Sequence, residues 1–319
     1  MTAAPLLPAW TSEQKRHLRE GIVTFEHRLA DTGLFTDEAL ARMIDAHPRA
    51  MLDVCTMRKN PPPNERWVAG DPGDLTGAQL VEAIRRGSLW VSLRQGMNVH
   101  AQPVLDGLMA EFAGEADAKV LSAKASILIS GPDMGIFFHV DTSETMLWHV
   151  RGHKTMLVYP PTEDFIPEAA LEAILHKETL SDAPWLPEME AHVRRVPLSP
   201  GQAAHWELNA PHRVLNGPDL NVSVSMEYAT PHSRAVNGTY WFNGFLRRRL
   251  GLQLSSRRTP RALRPIWWVA SVIAKRLFAD KAKNAECNHV RQFDVDLSRP
   301  DAIRWRPGLQ PLEQAPLAA

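Results

Sequence analysis

His139 and Asp141 stand two residues apart in the run GIFFHVD, and that spacing is the first chemical signal in the chain. On a β-strand, residues i and i+2 point to the same face, so an imidazole and a carboxylate would converge on one point. A third metal ligand has to come from elsewhere. His212, in APHRVLN, sits where a second strand could bring it alongside. Two imidazoles and one carboxylate on one face leave the opposite coordination positions open. That set suits non-haem Fe(II), because the open positions admit dioxygen and an oxo-acid. Downstream, Lys154 opens the run KTMLVYPP. A lysine entering from a neighbouring strand is suited to pair with the far carboxylate of a dicarboxylic oxo-acid. Alone, an HxD pair is more often a packed or solvated couple than a ligand set. The elements around it must decide.

Those elements read as β-structure. KASILIS, GIFFHVD, TMLWHV and KTMLVYPP are short runs rich in β-branched and aromatic residues, broken by GPDMG and RGH. After a more irregular insert over 161–192, strands resume with HVRRVPL, QAAHWEL, HRVLN and LNVSVSMEY. In the last of these, NVSVS alternates as a half-buried strand should. The first 120 residues read as mostly helical. Thr36 caps DEALARMIDAH, Thr76 starts GAQLVEAIRR with Gly87 as a stop, the strand LWVSL follows, and a helix runs through PVLDGLMAEFAG. Many short strands flanked by helices predict a sandwich or barrel decorated by helices.

Composition narrows the classes. Hydrophobic residues make up 44% and charged residues 23% of 319, an ordinary globular balance. Lys+Arg and Asp+Glu are equal at 36 each, so bulk charge favours neither nucleic acid nor membrane. The only cysteines, Cys55 and Cys287, form neither a disulfide framework nor a zinc pattern. MTAAPLLPAW has no basic n-region and no continuous apolar h-region, and no run of about 18 apolar residues exists. The expected setting is reducing and cytoplasmic, which would keep a ferrous ion reduced.

The run HVDTSETMLWHVRGHKTMLVYPP resembles the metal strand and co-substrate strand of the Jumonji C oxygenases, with the asparaginyl hydroxylases of the hypoxia-inducible factor as the nearest likeness. KASILISGPDMG resembles the strand and turn leading into it. PGQAAHWELNAPHRVLNG followed by NVSVSMEY resembles the segment that carries the second ligand histidine. The resemblance covers roughly residues 120–230. It implies that His139, Asp141 and His212 bind Fe(II), that Lys154 binds 2-oxoglutarate, and that the protein is a 2-oxoglutarate-dependent dioxygenase. The implied reaction couples decarboxylation to succinate with hydroxylation of an unactivated C–H bond, or demethylation through a hydroxylated intermediate. It also implies a mainly β fold with flanking helices: a double-stranded β-helix (cupin or jelly-roll) core at 120–232, a helical N-terminal part at 1–119, and a C-terminal helical extension and tail at 233–319. The chain departs from the pattern at Ile136, where the hydroxylases often carry Thr, and at LWVSL, where Trp90 and Ser92 stand where a Tyr is usual. Thr145 and Ser225, or Ser223, are the candidates to support the co-substrate instead, with Trp90 beside them.

Other histidines have plainer roles. His153 belongs to the turn before Lys154, and His149 faces substrate or simply packs. His205 is too far along an extended chain to share a metal with His212 and is expected to fill the barrel mouth, near Glu207 and Asn209. Residues 265–278 form a helix with a wide apolar sector that includes Trp267 and Trp268. Packing inside the protein or in a homodimer is the favoured reading, and a peripheral membrane contact is its rival. The basic runs nearby predict no nucleic-acid partner. Two other function classes fit the same elements: a cupin isomerase, which usually adds a further ligand as in HxH, and a non-catalytic cupin-like regulator. The substrate is open among a protein side chain, a metabolite and a lipid-linked sugar, the last because Kdo hydroxylases of lipopolysaccharide synthesis show that such a fold can serve membrane-bound substrates.

Overall fold

The computed structural model describes residues 4–57, 61–179, 183–278 and 290–308. Its first part runs α1 (Ser12–Glu20), β1 (Val23–Glu26), α2 (Asp37–Ala46), β2 (Leu52–Thr56), β3 (Val68–Asp71), α3 (Gly77–Arg86), β4 (Leu89–Leu93), α4 (Gly96–His100) and α5 (Gln102–Ala116). Three of these five helices, α1, α2 and α3, start on a threonine. Thr36 accepts the Ala39 amide at the start of α2, and Thr76 forms a reciprocal box with Gln79 at the start of α3. These side chains satisfy amides that no helical carbonyl reaches. The mostly helical reading of this region needs correcting by the strands β1, β2 and β3, of which β1 alternates buried and exposed residues.

From residue 122 strands dominate: β5 (Ser122–Ser130), β6 (Gly135–His139), β7 (Glu144–Arg151), β8 (Lys154–Val158), then helix α6 (Glu168–Leu175), β9 (Arg194–Leu198), β10 (Gln202–His205), β11 (His212–Asn216) and β12 (Asn221–Ala229). β10, β7, β12 and β5 lie side by side in one sheet, and β6, β11, β8 and β9 form the other. The chain changes sheet at every step from β5 to β12 except between β8 and β9. Neighbouring strands pair antiparallel throughout. This winding is a double-stranded β-helix.

Strands from both ends of the chain widen the first sheet to ten. β1 joins β10 at one edge. At the other edge come β4, β2 and β3, and then β13 (Phe293–Val295) and β14 (Ile303–Trp305). The tail therefore ends in a hairpin on the sheet, where only a helical extension and tail were expected. Gly70 on β3 makes room for it, since a Cβ there would lie 2.2 Å from the Phe293 ring.

Two apolar layers follow from this arrangement. Leu147, Met156, Val158, Ala204 and Val214 fill the space between the sheets. Trp148, Val224, Met226, Ile127 and Phe112 lie on the opposite face of the large sheet, under the N-terminal helices. Hence β12 is buried on both faces over most of its length, not half-buried as NVSVS predicts. Its serines point into the barrel and its valines into the helical layer.

α7 (Pro231–Leu250) starts on a Thr230–Ser233 capping box, and α8 (Arg264–Phe278) packs across it. The contact is close because Gly238 has no side chain; a Cβ there would sit 2.7 Å from the Trp268 Cα. Trp267 meets Phe242 at 5.4 Å between ring centres, Phe278 meets Phe245 at 5.6 Å, and the Lys275 ammonium lies 4.9 Å from the Trp241 ring centre. The expected cover for the apolar sector is therefore only half present. Ile266, Val269, Ile273 and Leu277 point outward and stay exposed.

Candidate metal centre

His139 ends β6 and His212 opens β11, and the two are direct cross-strand partners. Adjacent antiparallel strands set opposed side chains about 5 Å apart at Cβ, and here the imidazole ring centres are 4.2 Å apart. Asp141, two residues beyond His139, brings its carboxylate to 3.5 Å from His212 Nε2 and 4.0 Å from His139 Nε2. Among the described residues these three form the one such group, with ligand atoms all within 4.8 Å of one another.

The backbone fixes which ring nitrogen faces the shared point. His139 Nδ1 lies 2.8 Å from the Phe137 carbonyl, and His212 Nδ1 lies 3.0 Å from the Ala210 carbonyl. Each Nδ1–H donates to a carbonyl two residues back, so each Nε2 keeps its lone pair for a metal. Burial, aided by the neighbouring His212, lowers the His139 pKa to about 4. Burial pushes the Asp141 carboxyl upward, but the His212 hydrogen bond and the charge of both imidazoles outweigh it and bring it down to about 2. At neutral pH His139 is neutral and Asp141 ionised, as ligands must be.

Lys154 starts β8, on the same face as Met156 and Val158, so it points between the sheets. It is 5% exposed, and no carboxylate among the described residues lies at ion-pair distance from it. Burial alone lowers its pKa from 10.5 to about 7. A buried ammonium without an acid is costly unless an anion joins it.

The remaining candidates are distributed around that interior. The buried Thr145 hydroxyl lies 3.2 Å from the Ser143 carbonyl and helps to hold the Asp141 carboxyl ionised. Ser225 is half-buried on β12, opposite Leu147 of β7. Trp90 on β4 pairs with Ser130 and packs with Trp67 and Ile136. His149 does not reach the open end. Its Nδ1 is 3.0 Å from the Ser223 hydroxyl and its Nε2 2.9 Å from the Gly152 carbonyl, deep beside Lys154. His153 is exposed and meets Asp219 at 2.9 Å.

His205 corrects an expectation. It does not fill the barrel mouth but faces the outer side of the sheet, 3.6 Å from Glu144 and next to Tyr228. Alternation along the strand decides this, since the next residue, Trp206, takes the inner side against His212. Both His205 ring nitrogens are buried without a hydrogen-bond partner, and the residue lines a cavity of about 550 Å³ with Glu144, Asn209, Tyr240 and Arg264. The metal trio does not line it. Two of its wall residues, Ile166 and Tyr240, pack against Val140, which stands between His139 and Asp141.

Glu227 was missed by the sequence reading. It pairs with Thr145 across β12 and β7, and its carboxylate accepts from the Ser143 hydroxyl at 3.2 Å. Its side chain reaches solvent, yet crowding by protein and then the Asp141 charge raise its pKa. Period-two alternation with Ser223 and Ser225 was the signal that could have placed it on the inner face.

No protein-family model matches the chain, and no curated protein does. Among solved structures, one of Escherichia coli YcfD is 14% identical, with 87% of this chain and 70% of that chain covered and a TM-score of 0.47. A second, of the Escherichia coli ribosomal oxygenase YcfD, is 15% identical over 78% of this chain and 60% of that one, at a TM-score of 0.41. A third, of the same oxygenase with cobalt and 2-oxoglutarate, is 16% identical over 76% and 57%, at 0.44. The chain thus spans less than two thirds of the length of the latter two.

Proposed function

We propose that the protein is an Fe(II)- and 2-oxoglutarate-dependent dioxygenase that hydroxylates a C–H bond. The observation that supports this best is one barrel holding both a converging two-His, one-Asp set and a buried ammonium without an acid partner. The overall change would convert substrate, dioxygen and 2-oxoglutarate to hydroxylated substrate, succinate and carbon dioxide. Iron, when bound, would supply the activation of dioxygen.

The chain's own residues would do the rest. His139 and His212 would hold the metal through Nε2, oriented by the carbonyls behind them, and Asp141 through a carboxylate oxygen steadied by Thr145. A set of only three protein donors would leave the metal free to take the oxo-acid and dioxygen. Lys154 would bind the far carboxylate of 2-oxoglutarate, with Ser225 and Trp90 as further walls of that pocket. The apolar lining between the sheets keeps water from the co-substrate, which strengthens the Lys154 contact.

The test of the enzymatic reading is anaerobic addition of Fe(II) and then 2-oxoglutarate, followed by oxygen. A visible charge-transfer absorption on chelation, and succinate once oxygen is admitted, are expected from the native chain and not from His212→Ala. Tight metal binding with no succinate above the His212→Ala background would favour a non-catalytic regulator.

A further inference from the structure

The strongest unexplained surface lies at α7, α8 and the segment joining them. Nine of the thirteen large apolar side chains that are exposed among the described residues fall within residues 250–278. On α8 they are Ile266, Val269, Ile273, Leu277 and Phe278, each between 52% and 68% exposed. The first four recur at helical spacing and make one outward stripe. Leu250, Leu252 and Leu254, at the end of α7 and in the following loop, are exposed as well.

Charge in the same stretch is one-sided. Residues 247–278 contain nine Lys and Arg and no Asp or Glu. Three of the arginines are occupied from outside the stretch: Arg247 by Glu172, Arg248 by Glu172 and Glu178, and Arg257 by Glu163. Arg249, Arg258, Arg261 and Arg276 are exposed and have no carboxylate partner among the described residues. The two tryptophans are turned onto α7 and Phe278 meets Phe245 there, so the outward stripe is aliphatic.

We propose that this face docks onto the surface of an anionic lipid bilayer, with the α8 stripe in the acyl boundary and the free arginines at the phosphates. An amphipathic helix of this kind binds through buried apolar area plus attraction to anionic headgroups. Two other partners fit less well. A symmetric dimer would set the same patch against itself, bringing unpaired arginines face to face with no acid in the stretch to meet them. A nucleic acid would use the cations, but an aliphatic stripe gives bases nothing to stack on. Among the described residues no helix is long and apolar enough to cross a membrane, which fits docking on the surface.

Flotation of the full chain with phosphatidylcholine vesicles, with and without phosphatidylglycerol, tests the proposal. Binding is expected only to the anionic vesicles and is lost at high salt. Arg258→Gln/Arg261→Gln/Arg276→Gln should weaken it roughly a hundredfold, at about fivefold per cation. Ile266→Ser/Val269→Ser/Ile273→Ser should weaken it at least about tenfold while leaving thermal unfolding unchanged, because all three side chains are exposed. Failure of the native chain to float overturns the proposal, whether it is then monomeric, a concentration-dependent dimer, or bound to RNA. Native-like flotation of the serine variant overturns it as well. None of these readouts uses metal or co-substrate, so they stand apart from the enzymatic reading.

Discussion

Replacing Lys154 by methionine is expected to stabilise the metal-free protein while disabling it for co-substrate. Burial lowers the ammonium pKa from 10.5 to about 7. At about 1.4 kcal/mol per pH unit, that difference is a cost of about 4–5 kcal/mol to the folded state wherever both states are protonated. Between about pH 7 and pH 10.5 the unfolded chain holds a proton on Lys154 that the folded chain has released. Stability of the native sequence therefore rises with pH through that window, and the full cost is present below about pH 7. Methionine keeps an apolar stem and removes the charge, with some loss of packing. Lys154→Met should gain about 2–4 kcal/mol near pH 7, with the gain fading towards the top of the window. Urea unfolding of chelator-treated protein at several pH values measures it. With metal and 2-oxoglutarate present the order should change. The variant forgoes a charge-assisted contact of about 1.5–3 kcal/mol, or one to two decades in co-substrate affinity. A variant less stable than the native chain at pH 7, or a gain independent of pH, would refute the burial argument. An unchanged 2-oxoglutarate affinity would refute the role of Lys154 as its anchor.

Three further outcomes are expected. His139→Ala, Asp141→Ala and His212→Ala should each weaken Fe(II) binding at least about a hundredfold and abolish succinate formation, read by anaerobic metal titration, because a minimal set has no ligand to spare. Thr230→Ala removes the hydroxyl that accepts the Ser233 amide at the start of α7. It should cost about 1 kcal/mol and lower Tm by roughly 1–2 °C in calorimetry. Gly238→Val puts atoms against the Trp268 backbone, which cannot retreat while Trp267 and Ser271 hold α8 in place. A loss of about 1–3 kcal/mol in urea unfolding checks that contact, and native stability would mean that α8 can shift.

Local rules made much of this molecule readable in advance. The threonine caps, the eight runs that became β5 to β12, and the His139–Asp141 pair all depend on spacing of two or about four residues, which one short segment contains in full. Lys154 was readable for the same reason, since its strand also carries the alternation of Met156 and Val158. What no segment contains is its partner. The cross-strand match of His212 with His139, the turning of His205 away from the His139–Asp141–His212 trio, and the burial of both faces of β12 follow from registers set across the chain. The C-terminal hairpin on β3 was invisible because three-residue strands hold too little pattern and depend on Gly70 to seat Phe293. The α8 helix shows the division most clearly. The sequence determined that it has a wide apolar sector and basic flanks. Only the tertiary structure decided that the tryptophans are spent on α7 and the aliphatic stripe faces out, because a glycine at position 238 fixes which side of α8 can come close.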